Sequence, residues 1–236
     1  MQECIFKYVC DLHCDFMNAM MRSKNIGGSS MIKNILFDMG GVLLRFEPEY
    51  FIARLGITGA DADLLRREVF RSADWVRMDR GTLTDVEGVA RICRRVPAHL
   101  HAAVEELVCR WEVPEILPME GMAALIGELK AAGYGIYLLS NAFARQHEYW
   151  PRVPGSEYFD DTFISADVKL VKPQREIYEM ALEKFGVKAE ECVFIDDLPS
   201  NIEMGENCGI RGVVFHGDVG ILRADLRRAG VTVAGA

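Results

Sequence analysis

Long apolar runs are missing from this 236-residue chain. Its longest are about strand length, against the roughly 20 apolar residues a membrane span needs. A basic excess is missing too: 27 Lys+Arg against 35 Asp+Glu leave a formal charge of −8, with a pI near 5.2. That sign excludes a reader of the nucleic-acid backbone. It leaves room for a small phosphorylated substrate, because a pocket can be locally positive on a negative surface. Glu3, Asp11 and Asp15 interrupt the opening residues, so no basic segment precedes a clean apolar one and no signal peptide is expected. None of the seven cysteines forms a Cys-x-x-Cys pair, and Cys4, Cys10 and Cys14 with His13 fit no common zinc spacing. An odd number without a framework reads as reduced thiols in a cytoplasmic protein. With 50% hydrophobic and 26% charged residues, the composition is that of a folded domain and not a disordered one.

Residues 1–30 differ from the rest and end in Gly27-Gly28-Ser29-Ser30, directly before Met31. They read as an extension of unknown role, or as sequence ahead of a true start at Met31, with apolar spacing from Ile5 to Met21 that allows a short helix. Ile32 to Phe37 then reads as a buried strand breaking at Asp38 into Gly40-Gly41. Over 48–114 the pattern turns helical, with amphipathic stretches at Asp61–Arg71, Thr84–Arg95 and Ala98–Trp111. Beyond Pro118 strands alternate with helices. The strands are read at 135–139, 163–164, 192–195 and 211–215, and the helices at 121–132, 173–185, 202–208 and 219–229. Such alternation implies an α/β fold with a parallel sheet covered on both faces. Ligands then sit beyond the carboxyl ends of the strands, where Asp38, Ser140-Asn141 and Asp196-Asp197 fall.

Taken singly, each site reads blandly. Asp38 suits a turn, Asp196-Asp197 a helix cap, Ser140-Asn141 a helix start, and Lys172 a solvated surface. In order they are Phe37-Asp38-Met39-Gly40-Gly41-Val42-Leu43, Leu138-Leu139-Ser140-Asn141, Val171-Lys172-Pro173 through Ile177-Tyr178, and Phe194-Ile195-Asp196-Asp197 to Asn201-Ile202. This set resembles the four motifs of the haloacid dehalogenase superfamily, most of whose members are magnesium-dependent phosphatases. The resemblance covers roughly residues 32–215. It implies a Rossmann-like core over 31–47 and 115–236, with an α-helical cap inserted at 48–114. By the same resemblance Asp38 is the nucleophile that takes the phosphoryl group. Mg²⁺ is held by Asp38, the Gly40 carbonyl and Asp197, with Asp196 as a second ligand or a water-holding neighbour. Ser140 and Lys172 stabilise the transferring phosphoryl group, and Gly41 and Asn141 contact the phosphate.

Where most such phosphatases carry an acid–base Asp, two residues after the nucleophile, this chain has Gly40, which has no proton to transfer. Mutase activity becomes unexpected. Phosphonate hydrolysis is too, because that branch needs a cap lysine and none lies between Lys33 and Lys130. A bacterial branch resembling sugar-1-phosphate phosphatases does carry Gly there. It shares the Ser-Asn run with Trp150-Pro151 after it, and the Lys-Pro-x-x-x-Ile-Tyr segment. Losing the donor favours substrates with good leaving groups. His147 is close enough in sequence to replace it, but reads as a helix-surface residue. Lys169 is read as solvent-facing or as a second charge near Lys172. In the cap, Trp75 and Arg80 within Asp74-Trp75-Val76-Arg77-Met78-Asp79-Arg80-Gly81 are the candidates to stack on and hydrogen-bond a sugar. The alternative is that Trp75 packs between cap helices while Asp79 and Arg80 are surface charges. The expected protein is a cytoplasmic monomer or homodimer acting on small phosphorylated metabolites, sugar phosphates foremost, without nucleic-acid or membrane partners. The competing classes are a metal-free 2-haloacid dehalogenase and a catalytically weak phosphate-binding protein.

Overall fold

A computed structural model describes residues 31–233. The short helix expected over Ile5–Met21 and the Cys4, Cys10, Cys14 and His13 group lie outside the described residues. Five strands, β1 (Asn34–Phe37), β2 (Gly135–Ser140), β3 (Asp161–Ile164), β4 (Cys192–Asp196) and β5 (Arg211–Val214), form one parallel sheet in the order β3-β2-β1-β4-β5. Every residue of β1 is buried, which is why Ile35-Leu36-Phe37 runs apolar without alternating. The period of two still sorts the side chains. Ile35, Phe37, Ile136, Leu138, Val193 and Ile195 enter one apolar cluster. Leu36, Leu139 and Phe194 enter the other, with Tyr178.

Between β1 and β2 the chain is helical: α1 (Pro48–Arg54), α2 (Gly59–Leu65), α3 (Ala73–Asp79), α4 (Asp85–Cys93) and α5 (His101–Cys109). The helix expected over Asp61–Arg71 is two pieces, since α2 passes into a π-helical turn at Arg66–Phe70. A 3₁₀ turn at Ala98–Leu100 opens α5. Local chemistry sets several boundaries. Thr84 and Glu87 form a reciprocal capping box at the start of α4. Ser72 accepts the Trp75 N–H and starts α3. Asp74, buried on α3, binds Arg77 at 2.9 Å, Arg91 at 3.4 Å and Arg95 at 2.7 Å, tying α3 to α4 and the turn after it. Burial works against its charge, yet Arg95 and Arg77 hold its carboxyl below the usual range.

The other helices are α6 (Met122–Ala131), α7 (Gln146–Tyr149), α8 (Ser165–Val168), α9 (Arg175–Phe185), α10 (Pro199–Asn207) and α11 (Val219–Arg228). α10 begins three residues before the expected Ile202, because Pro199 sits at its first position, where its fixed φ suits a helix start. The chain runs from β1 outward through β2 and β3, then crosses back to place β4 on the other side of β1. That reversal opens a crevice at the carboxyl ends of β1 and β4, the place where parallel sheets of this kind bind ligands. No helix among the described residues is long and apolar enough to cross a membrane. The described cysteines Cys93, Cys109, Cys192 and Cys208 are free thiols.

Candidate active site

The register pairs Phe37 with Ile195, so Asp38 emerges beside Asp196 at the ends of β1 and β4. The Asp38 N–H donates to the Ile195 carbonyl at 2.9 Å and continues the ladder by one bond. Lys172 lies between the two acids, with Nζ 2.8 Å from Asp38 Oδ1 and 2.7 Å from Asp196 Oδ2. Its third bond goes to the Leu139 carbonyl at 2.9 Å. This lysine is only 4% exposed, so the solvated-surface reading is wrong for it. Two buried carboxylates supply the charge that an isolated buried ammonium would lack. Burial opposes the Lys172 charge, but Asp38 and Asp196 outweigh it and hold its pKa above the ordinary value. The Asn141 side chain grips the backbone of Lys172 in both directions, accepting its N–H at 2.8 Å and donating to its carbonyl at 3.1 Å.

The acids differ in how they are satisfied. Asp196 is fully buried, and its oxygens accept from Leu198 N at 2.8 Å, from Lys172, and from Asn201 Nδ2 at 3.0 Å on both sides. That uses the acceptor capacity of a carboxylate. Asp38 is held up to about 7 by burial, opposed by Lys172 and reinforced by Asp196. Burial and then Asp196 also raise Asp197, which has no ion-pair partner among the described residues. One carboxylate oxygen from each of Asp38, Asp196 and Asp197 lies within 4.8 Å of the others. Three acids facing one ammonium leave an excess of negative charge, and the donors are all hard oxygens. That set fits a divalent cation such as Mg²⁺. Gly41 has φ +78° and a Cβ there would stand 2.5 Å from Asp197 Oδ2, so Asp197 closes against bare backbone.

Above these groups opens a cavity of about 250 Å³. Asp38, Gly40, Gly41, Asn141, Lys172 and Asp197 line its floor. Its walls are largely aromatic: Phe46, Trp75, Trp111, Phe143 and Tyr149 all line it. Trp75 packs on Phe143, after β2, with ring centroids 4.7 Å apart and on Phe70 of the inserted segment at 5.0 Å, and it faces the cavity as well. Ser140 is not among the lining residues. Its hydroxyl is buried at the end of β2 without a hydrogen-bond partner, an unmet polar group at the cavity floor's edge. Arg80 does not line the cavity either; its backbone N–H ends α3 on the Val76 carbonyl and its Nε is buried without a partner. Within that stretch the cavity is lined by Trp75 and Asp79. Helical geometry could have told them apart. Asp79 is four residues from Trp75, about 40° away round the helix, and shares its face, whereas Arg80 lies about 140° from Trp75. Arg145 also lines the cavity, held by Glu112 at 2.7 Å, and no sequence pattern singled it out. His147 is exposed and pairs with Asp167 at 3.1 Å, outside the cavity. Lys169 neither joins Lys172 nor points freely to solvent; its ammonium binds the carbonyls of Gly81 and Ala166.

Comparison with known proteins gives the family. Residues 32–209 match the haloacid dehalogenase-like hydrolases, and the chain belongs to that family. It is a hydrolase with that family's Rossmann-like α/β fold. A sesquiterpene phosphatase of Aspergillus oryzae is 26% identical over 188 residues, 77% of this chain and 88% of that protein. The D-ribitol-5-phosphate phosphatase of Bacteroides thetaiotaomicron is 27% identical over 193 residues, 76% of this chain and 89% of that one. Among solved structures, a HAD family enzyme of Bacteroides thetaiotaomicron, in complex with magnesium and inorganic phosphate, superposes with a TM-score of 0.60. It is 22% identical and covers 81% of this chain and 98% of its own.

Proposed function

We propose that this protein is a magnesium-dependent phosphatase of small phosphorylated metabolites, working through an aspartyl phosphate on Asp38. The observation that carries the reading is the convergence of Asp38, Lys172 and Asp197 on the floor of one cavity. Asp38 and Asp197, with the Gly40 carbonyl, would hold Mg²⁺, which supplies positive charge to a phosphate dianion and to the developing transition state. Asp196, with its oxygens already bonded, positions Lys172 and the loop ahead of α10. Lys172 keeps one ammonium bond on Asp38 and orients the nucleophile. The unpartnered Ser140 hydroxyl at the end of β2 suits a phosphate oxygen. Asn141 acts by fixing Lys172 and not through a free amide. The three clustered acids Asp38, Asp196 and Asp197 fit a metal-dependent phosphatase better than a metal-free dehalogenase.

The helices between β1 and β2 serve as a cap that excludes water and reads the group beyond the phosphate. A cavity of about 250 Å³ suits a small substrate. Its aromatic walls can stack on the apolar face of a sugar ring or hold a planar or branched apolar group. The names of the two curated relatives, a polyol phosphate phosphatase and a terpenoid one, support both kinds. The test is a panel of sugar, polyol, aryl and isoprenoid monophosphates with Mg²⁺. Phosphate release from at least one class, at a kcat/KM of about 10⁴ M⁻¹s⁻¹ or more, is expected. No release from any class, with halide released from a 2-haloacid, would overturn the proposal.

A further inference from the structure

We propose that Asp79, on the cap helix α3, is the proton donor and acceptor that Gly40 cannot be. The proposal rests on the phosphatase reading above. Asp79 lines the same cavity as Asp38, approaching from the opposite, cap side. Its carboxylate has no hydrogen-bond or ion-pair partner among the described residues. Other shielded acids of the inserted segment are paired: Asp74 with three arginines, Glu68 with Arg67 and Arg95, Glu112 with Arg145 and Arg152. A shielded acid left unpaired beside these costs stability and is not explained by packing.

The backbone around it is clamped. Ser165, at the start of α8, donates its hydroxyl to the Asp79 carbonyl while accepting the Ala142 N–H at 2.9 Å. The Lys169 ammonium binds the Gly81 carbonyl two residues on. Gly81 has φ +67°, and a Cβ there would strike the Ala166 carbonyl. Asp79 is therefore fixed from the side of the sheet that also carries Asn141, next to Ala142. The groups that face it are Asp38 after β1, Lys172 before α9, and Tyr149 and Arg145 from α7 and the turn before it, with Asp197 on the far floor. Burial, then Asp38, push its carboxyl well above the usual range against the pull of Lys172, the direction a proton donor needs. Other cavity groups are poorer donors: burial holds the Tyr149 phenol far above its ordinary value, and Arg145 is engaged by Glu112.

The step balances. An Asp38 oxygen bonds to phosphorus and the bond from phosphorus to the ester oxygen breaks. The ester oxygen keeps the electron pair and takes the proton from Asp79, leaving as the alcohol. Water then attacks the aspartyl phosphate and gives its proton to the Asp79 carboxylate. The bond to Asp38 breaks, phosphate leaves, and both side chains return to their starting states. With this donor present, the preference for good leaving groups expected from Gly40 alone no longer follows.

The experiment compares the full-length wild type, Asp79→Asn and Asp38→Asn on p-nitrophenyl, phenyl and benzyl phosphate with Mg²⁺. Asp79→Asn is expected to keep kcat/KM on the nitrophenyl ester within about threefold, because that leaving group needs no proton. On the benzyl ester it is expected to lose about 10²–10⁴-fold. It should also release a burst of one nitrophenol per enzyme before slow turnover, since hydrolysis of the aspartyl phosphate has lost its base. A merely structural role would lower all three esters alike, and that equal loss, or an unchanged benzyl rate, overturns the proposal. No phosphate release by the wild type on any ester, or full activity of Asp38→Asn, overturns the phosphatase reading and the role of Asp79 with it.

Discussion

Gly41 shows how little room the nucleophile loop has. A methyl group there meets Asp197 Oδ2 at 2.5 Å, and its φ of +78° is one that alanine adopts only with strain. Gly41→Ala is expected to weaken Mg²⁺ binding at least tenfold by calorimetry, while chemical denaturation shows a loss of only about 1–2 kcal/mol. Lys172 is the opposite kind of position. Lys172→Met leaves Asp38 and Asp196 buried without their cation and is expected to destabilise the fold by about 3–5 kcal/mol in urea titration. The residue types at both positions were legible in the sequence; the burial of Lys172 was not. It depends on two acids from different strands, which no local pattern displays. Asp79 was hidden for a different reason. It stood beside Arg80 as one of a pair of ordinary charges, and only the helical phase of α3 puts it on the face of Trp75.

Elements were legible in proportion to their length and burial. The four strands after Pro118 and their helices lie within a few residues of where alternation places them, because each strand is a compact apolar run bounded by turn residues. The helices α1 and α3 were not foreseen. Each spans seven residues, under two full turns, so the helical period barely repeats within it. α3 is held by its contacts, above all by Asp74. Asp74→Asn is expected to lower stability by about 2–4 kcal/mol, less than for a fully buried pair because the arginines are half exposed. The folded Asp74 carboxyl sits below its unfolded value, so its contribution is full above the ordinary carboxylate range and is lost as pH falls through the folded pKa. The gap in Tm between wild type and Asp74→Asn, about 2–4 °C per kcal/mol, should therefore close below about pH 4. A gap that persists in acid would show that packing, and not charge, holds α3.

Taken whole, the molecule carries its net negative charge into the site. Burial raises Asp38 to about 7 even with Lys172 beside it, when no metal ion is bound. Its folded value lies above its unfolded one, so the stability it lends the metal-free protein is full below about pH 4 and is lost as pH rises through about 7. The loss is roughly 4 kcal/mol as an upper bound. On the proposed reading, Mg²⁺ would remove that penalty by pairing with the ionised group. The increase in Tm on adding Mg²⁺ over EDTA is expected to grow between pH 5 and pH 8. An increase that is flat with pH would separate Asp38 from the metal.

The central claim is that Asp38 carries the phosphoryl group with Mg²⁺ beside it. The direct measurement is phosphate release from a phosphomonoester by wild type and Asp38→Asn, each with Mg²⁺ and with EDTA. The account predicts turnover by the wild type with Mg²⁺ alone, and a loss of at least about 10³-fold in Asp38→Asn or on chelation. Release that survives the loss of Asp38, or proceeds equally in EDTA, would contradict it.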